Sequence, residues 1–275
     1  MKGLMIALTL TAVAVLGAQT PAPPASPQTS APAAQAGGRG TPTPLPELTC
    51  PDLAAALRTV AANDTRLRDW PQMNRYRVAN ESVKSVQVVF MGDSITDFWQ
   101  QPRFGGFFPG KAYLDRGISG QTTPQMLVRF RTDVVNFKPK VVVILAGTND
   151  IAGNTGPMTD EEIEGHLASM SELAHAHQIK AVLASILPVS DYHVATPNGN
   201  PQTSQRPMSR IRAINDWMKR YAGEHGDIYL DYFSAMVDER GLLKKELSAD
   251  DLHPTAEGYA VMAPLAEAAI QRALK

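Results

Sequence analysis

Ser94 is the residue of this chain that could most directly do chemistry. It lies in Gly92-Asp93-Ser94, directly after the apolar run 86–91, which is typical of a buried strand. In open α/β sheets, ligands bind at the carboxyl ends of the strands, so we expect the serine at that edge. Its hydroxyl could attack an acyl carbon if a base and an oxyanion site are near. The alternative is that Ser94 only caps the helix that follows.

The candidate base is His253, in the segment Asp250-Asp251-Leu252-His253-Pro254. Histidine has a pKa suited to accepting the serine proton near neutral pH, and it needs a carboxylate on its other ring nitrogen. Asp250, three residues earlier, can reach back within one loop, whereas we expect Asp251 to point away. A helix is expected to begin at Pro254. The alternative is that these are only turn and capping residues.

Two further segments offer donors for an oxyanion. Gly147-Thr148-Asn149-Asp150 follows the apolar run 141–146, and the side-chain amide of Asn149 could donate a hydrogen bond there. Segment 116–123 follows a short predicted strand, and Gly120 would let its backbone N–H approach a ligand closely. Each segment taken alone could equally be a plain turn.

Together, the serine, glycine, asparagine and histidine blocks occur in an order that resembles the SGNH hydrolases, also called the GDSL esterase/lipase family. The resemblance covers residues 81–275. It implies that Ser94 is the nucleophile and that an oxyanion hole is formed by the Ser94 N–H, the Gly120 N–H and Asn149. It also implies that His253 is the general base and then the general acid, oriented by Asp250. Many family members have glycine where this chain has Asp251.

The elements that must position these residues alternate between strand and helix. This alternation predicts an α/β fold, a three-layer α/β/α sandwich with a five-stranded parallel, flavodoxin-like sheet. A Rossmann fold would need G-x-G-x-x-G after the first strand, which is absent. Apolar spacing predicts a helix over 52–63 packed across the outside, and Pro264 is expected to kink or split the last helix. The predicted strands are 86–91, 112–115, 141–146, 180–186 and 228–231.

The composition is that of an ordinary globular protein. The chain has 275 residues, 44% of them hydrophobic and 19% charged, and its formal net charge is −1. Basic runs with interleaved aromatic residues are missing, so we expect no nucleic-acid partner.

The N-terminal residues predict export. Residues 1–18 have a short basic start and an apolar stretch that is typical of a signal peptide and short for a transmembrane helix. We therefore expect a periplasmic or extracellular protein with no stable membrane insertion after cleavage; the alternative is an uncleaved anchor. Residues 19–46 are rich in Pro and Ala and are predicted to be a disordered linker, and residues 47–275 one SGNH hydrolase domain.

The predicted function is hydrolysis of short-chain acyl esters, in particular acetyl esters on carbohydrates, without a cofactor or metal. The local pattern of residues 93–99 and 145–155 resembles members that are platelet-activating-factor acetylhydrolase-like or carbohydrate acetylesterases. The expected partner is a small-molecule or glycan ester, and the oligomeric state stays open. Two alternatives remain: a lysophospholipase or thioesterase with the same triad, and a non-catalytic carbohydrate-binding module.

Three residues are candidates for contact with the substrate. Asp97 lies just after the serine, and Trp99 belongs to an aromatic group that is either a platform for a sugar ring or acyl chain, or part of the core. Tyr192 lies in a polar loop, residues 190–205, that either lines the cleft or is a surface loop. The other aromatic residues of the group are Phe104, Phe107 and Phe108.

Overall fold

The computed structural model describes residues 50–194 and 201–275, and its centre is a sheet of five parallel strands. The strand order is β2-β1-β3-β4-β5, which confirms the predicted flavodoxin-like sheet. Each predicted strand is present, with its ends within two residues of the predicted ends. The strands are β1 (Val88–Gly92), β2 (Tyr113–Gly117), β3 (Val141–Leu145), β4 (Lys180–Ala184) and β5 (Ile228–Leu230).

Helices connect the strands and cover both faces of the sheet, which confirms the predicted three-layer sandwich. The helices of the described residues are α1 (Cys50–Arg68), α2 (Arg77–Glu81), α3 (Ser94–Trp99), α4 (Thr123–Asp133), α5 (Thr148–Ile151), α6 (Asp160–Ala176), α7 (Gln202–Gln205), α8 (Met208–His225), α9 (Phe233–Met236) and α10 (Ala256–Ala273).

The core consists of two apolar clusters, one on each side of the sheet. Val89 and Met91 of β1 pack with residues of α4, α6 and α8, whereas Val88 and Phe90 pack with residues of α3 and α10. This alternation follows from the strand geometry, in which successive side chains point to opposite faces. Strand β3 is buried along its whole length, as expected for a central parallel strand covered on both faces.

Three expectations about the helices need correction. The helix predicted over 52–63 exists as part of α1, but its packing was predicted wrongly: Leu57 and Val60 are 61% and 64% exposed. Apolar spacing indicates a helix without specifying what covers its apolar face. Helix α10 is not split at Pro264; it continues through this residue, whose side chain is exposed. The same helix begins at Ala256, after a cap at Thr255, and not at Pro254.

The described residues contain no helix that is long and apolar enough to cross a membrane. The predicted signal peptide and linker lie outside the described residues, so both stay predictions.

Candidate active site

The turn at the end of β1 places Ser94 at the start of α3. Asp93 caps this helix, because its Oδ1 accepts a hydrogen bond from the N–H of Ile95 at 2.9 Å. The helix-capping role that was the alternative for Ser94 is therefore filled by Asp93. As the first residue of the helix, Ser94 has no helical carbonyl partner for its N–H, and this donor stays free to face a ligand.

Two glycines let α3 lie close against the sheet. A Cβ on Gly92 would collide with Thr96 of the helix, and a Cβ on Gly117 would collide with the backbone of Asp97. The Ile118 N–H donates to the Gly92 carbonyl at 3.0 Å, which holds the start of the next loop beside the serine. The sequence therefore needs glycine at both strand ends for the serine and this loop to meet.

His253 lies within hydrogen-bond distance of the serine. Its Nε2 is 2.9 Å from Ser94 Oγ, and its Nδ1 is 2.7 Å from Asp250 Oδ2. The other oxygen of Asp250 accepts hydrogen bonds from the backbone N–H groups of Leu252 and His253, so one loop holds both partners. The Phe98 ring packs 5.0 Å from the imidazole and restricts its orientation. The structure thus brings Ser94, His253 and Asp250 into one series.

Asp250 remains ionised in this arrangement. Burial alone would raise its pKa, but hydrogen bonds from the His253 side chain and backbone hold the pKa of Asp250 well below its usual range. A permanent carboxylate at Nδ1 favours the tautomer in which Nε2 is free to accept the serine proton.

Asp251 points away from the histidine, as predicted. It bonds the loop after β4, where it accepts from Ser190 Oγ at 2.6 Å and from the N–H groups of Tyr192 and His193. Its φ of 68° lies in the left-handed region, which glycine adopts with least strain. Its hydrogen bonds to this loop offset the cost of a larger side chain in that conformation.

The predicted oxyanion donors lie on the neighbouring loops of the same edge. Gly120 has a φ of 80°, and its carbonyl accepts from Asn154 Nδ2 at 3.1 Å. One amide N–H of Asn149 donates to the Gln121 carbonyl at 3.0 Å, which leaves its second N–H for a ligand. The structure therefore places both predicted donors in one connected pair of loops.

A buried arginine behind these loops was missed by the sequence reasoning. Arg129 of α4 is fully buried and donates to the Gln121 side chain at 2.6 Å, to the Gly92 carbonyl at 3.1 Å and to Asp133 at 3.1 Å. It joins the end of β1 to the loop that carries Gly120. The signal for it was an Arg–Asp pair four residues apart on the apolar side of a predicted helix.

Two buried carboxylates adjoin the site. Burial raises the pKa of Asp93 to about 6, although the Ile95 N–H and the nearby His253 oppose the shift. Burial also raises the pKa of Asp150, whose Oδ1 accepts hydrogen bonds from the Thr123 backbone N–H and hydroxyl. Asp150 thus ties the asparagine loop to α4.

The three residues predicted to contact the substrate lie in different surroundings. Asp97 accepts hydrogen bonds from the Ser119 backbone N–H and hydroxyl, so it holds the loop of Gly120 in place. Trp99 is 3% exposed and packs against Phe108 and Tyr259; the core alternative for it is correct and the cleft alternative is wrong. Trp99 lies on α3 a little more than one turn after Ser94, and its side chain fills the space between this helix and the sheet.

Tyr192, the third candidate, lies on the loop that Asp251 holds. Its hydroxyl donates to Asp238, and the Arg240 guanidinium lies 4.7 Å from its ring centroid. Its direct role in substrate binding stays a prediction. Within residues 50–194 and 201–275, no three His, Cys, Asp or Glu side chains are grouped so that they could hold a metal ion.

A serine, a histidine and an aspartate in series, with amide donors at the carboxyl edge of a parallel sheet, define the class of serine hydrolases. The sequence model of the GDSL-like Lipase/Acylhydrolase family matches residues 90–261, and the chain belongs to that family. It is therefore a carboxylic ester hydrolase.

Comparisons with individual proteins agree with the family. The chain is 28% identical over 218 residues to platelet-activating factor acetylhydrolase IB subunit alpha2 of Rattus norvegicus, covering 77% of this chain and 88% of that protein. A crystal structure from Bacteroides fragilis, of a protein assigned to the acylhydrolases, is 40% identical with a TM-score of 0.67, covering 75% and 99% of the two chains. A GDSL-like lipase from Bacteroides thetaiotaomicron is 37% identical with a TM-score of 0.66, covering 74% and 98%.

Proposed function

We propose that this chain is an exported serine esterase that removes short acyl groups, chiefly acetyl, from carbohydrates. The observation that carries the proposal is the series from Ser94 Oγ to His253 Nε2 at 2.9 Å and from His253 Nδ1 to Asp250 at 2.7 Å. These lengths suit proton transfer from the serine to the imidazole.

The reaction proceeds in two steps. Ser94 Oγ attacks the ester carbonyl carbon while its proton passes to His253 Nε2, and the carbonyl oxygen becomes a tetrahedral oxyanion. When the intermediate collapses, the alcohol leaves with the proton from His253 and an acyl-serine remains. Water then attacks the acyl-serine with His253 as base, and the carboxylic acid and free serine are released.

The oxyanion is stabilised by three donors: the Ser94 N–H, the Gly120 N–H and the second amide N–H of Asn149. Support for this set comes from the hydrogen bonds that fix the two neighbouring loops, from Asn149 Nδ2 to the Gln121 carbonyl and from Asn154 to the Gly120 carbonyl. Donors that are fixed before the reaction need no reorganisation when the charge develops, and this is the usual source of their effect.

Acetyl is the favoured acyl group because the curated relatives of the chain, at 28% identity, carry the name acetylhydrolase. A carbohydrate is the favoured alcohol because the side chains that line the cavity beside the loop of Gly120 are mainly amides and hydroxyls and carry no charge. The same relatives' names make an acetylated lipid the second candidate. The export proposal is supported by the basic and apolar pattern of residues 1–18.

The experiment is hydrolysis of p-nitrophenyl esters from acetate to palmitate by the wild type and by Ser94→Ala. We expect kcat/KM to be highest for acetate and to fall as the chain lengthens, and we expect the variant to be inactive on every ester. A maximum at long chains would replace the short-acyl proposal with a lipase. Equal activity of Ser94→Ala would remove Ser94 from the reaction.

A further inference from the structure

A cavity of about 390 Å³ adjoins the outer side of the loop that carries Gly120. Its volume lies within the range of small-molecule sites, roughly 300–1,000 Å³. It shares Gly120 with the proposed oxyanion hole, so a ligand within it lies next to the reacting ester. Four segments line it, with Trp70 and Gln72 before β1, Ser119 and Gly120 after β2, Gln125 in α4, and Asn154 and Thr155 after α5.

Trp70 is one of the residues that line this cavity, and it is partly exposed. Its side chain is 39% exposed, in contrast to the buried Trp99. The backbone beneath it is fixed, because Gln125 donates to the Trp70 carbonyl at 2.6 Å and Gln121 donates to the Pro71 carbonyl at 2.7 Å. The backbone of residues 70 and 71 is therefore fixed beside the oxyanion loop by one side chain of that loop and one of the following helix. Sequence reasoning missed Trp70, because residue 70 precedes the region of family resemblance, residues 81–275.

Gln72 adds a hydrogen-bonding group opposite that loop. Its backbone has a φ of 56°, a left-handed conformation that is uncommon for residues other than glycine and asparagine, and the Asp69 carbonyl holds its N–H at 2.9 Å. Among the described residues, its side-chain amide has no hydrogen-bond partner. Backbone strain of this kind is typical of functional sites, and the unpaired amide of Gln72 can form hydrogen bonds to a ligand in the cavity.

The side chains that line the cavity favour a neutral ligand with hydroxyl groups. The side chains that line the cavity in the described part of the chain are amides, hydroxyls and one indole, and none carries a charge. An acyl chain would leave the Gln72 side-chain amide unpaired, which costs free energy. A quaternary ammonium headgroup would gain from the indole but would find no carboxylate on the walls. A sugar ring offers an apolar face to the indole and hydroxyls to Gln72 and Asn154.

We propose that this cavity is a carbohydrate subsite, in which Trp70 stacks on a pyranose ring of the acetylated substrate and Gln72 binds its hydroxyls. The subsite rests on the proposed carbohydrate esterase function and names the part of the chain that selects the alcohol. Trp70 is a specificity-determining residue in this account, because the acetyl group itself reacts at Ser94.

The test compares kcat/KM for acetylated xylobiose with kcat/KM for p-nitrophenyl acetate. We expect their ratio to fall roughly five- to tenfold in Trp70→Ala, as loss of one aromatic stacking contact predicts. Trp70→Phe keeps an aromatic face and should restore most of the ratio. Val78→Ala is the matched control, because Val78 lies in the same N-terminal segment, is 77% exposed and is remote from the cavity walls.

Two results would contradict the proposed subsite, and they differ in whether the proposed carbohydrate esterase function remains valid. If wild type hydrolyses acetylated xylobiose and Trp70→Ala keeps the wild-type ratio, the subsite is wrong while the proposed function stands. If wild type hydrolyses p-nitrophenyl acetate and an acetylated ether phospholipid but not acetylated xylobiose, the carbohydrate function fails and the subsite with it.

Discussion

Adjacent aspartates in the histidine loop have separate tasks. Asp250 accepts hydrogen bonds from His253 through both its ring and its backbone, whereas Asp251 accepts from Ser190, Tyr192 and His193. The two carboxylates diverge because the backbone at residue 251 turns into the left-handed region. One loop thereby orients the proposed base and anchors the segment after β4.

This separation predicts different effects for the same substitution. Asp250→Asn should lower kcat by up to about 10⁴-fold, because the amide favours the wrong tautomer of His253. Asp251→Asn is the matched control and should keep most of its kcat, since it does not contact the imidazole of His253. Steady-state kinetics on p-nitrophenyl acetate measure both, and the reverse order of effects would assign the orienting role to Asp251.

A second residue-scale prediction concerns the oxyanion. Asn149→Ala should lower kcat roughly 10²–10³-fold while KM changes little, because the lost hydrogen bond forms with the charge of the transition state. Asn136→Ala, at an exposed position away from the site, is the control. A kcat for Asn149→Ala equal to that of wild type would exclude this side chain from the oxyanion hole.

At the scale of elements, the site depends on how closely α3 approaches the ends of β1 and β2. The space at Gly117 is already filled by the backbone of Asp97, and the Asp97 side chain in turn holds Ser119. Arg129 connects the end of β1 to the loop after β2 from behind. The positions of the serine and of the oxyanion loop are thus set by one packed contact between helix and sheet.

This contact can be tested with a pair of glycine substitutions. Gly117→Ala should lower the free energy of unfolding by about 1–3 kcal/mol, because its Cβ overlaps the α3 backbone. Gly165→Ala in α6 meets open space and should raise it by about 0.5–1 kcal/mol through better helix propensity. Urea unfolding followed by circular dichroism gives both values. A tolerated Gly117→Ala would show that the close approach is not required.

The sequence predicts the order of elements and the strand-end residues well, because buried apolar runs followed by special turn residues are local signals. Ser94 and Asn149 are found in this way, whereas Asp250 and His253 are found from their spacing in one segment before the last helix. Burial of aromatic side chains is not a local property, and for that reason Trp99 could not be assigned to core or cleft before the structure, while Trp70 was missed. Arg129 was missed because its partners lie on other elements.

At the scale of the whole molecule, stability is coupled to pH through carboxylates buried in the fold. Asp115 on β2 is 4% exposed, and burial raises its pKa from 3.8 to about 7, opposed by the Gly117 N–H and aided by Asp97. The folded state therefore holds this proton more tightly than the unfolded chain. Its contribution to stability is present below about pH 4 and is lost as pH rises through 7.

The corresponding prediction is that Asp115→Asn flattens the stability profile. Between about pH 4 and pH 7 the wild type should lose stability that the variant keeps, and each unit of pKa difference is worth about 1.4 kcal/mol. Thermal unfolding at a series of pH values measures this, with Asp216→Asn at an exposed position as control. Parallel profiles for wild type and Asp115→Asn would contradict the assignment of this coupling to Asp115.

The central claim is that Ser94 is a nucleophile activated by His253. The most direct measurement is labelling with a fluorophosphonate, followed by digestion and mass spectrometry of the peptides. We expect one adduct, on Ser94, that forms in step with loss of esterase activity and is nearly abolished in His253→Ala. An adduct on another residue accompanying full inactivation, or unchanged labelling in His253→Ala, would contradict it.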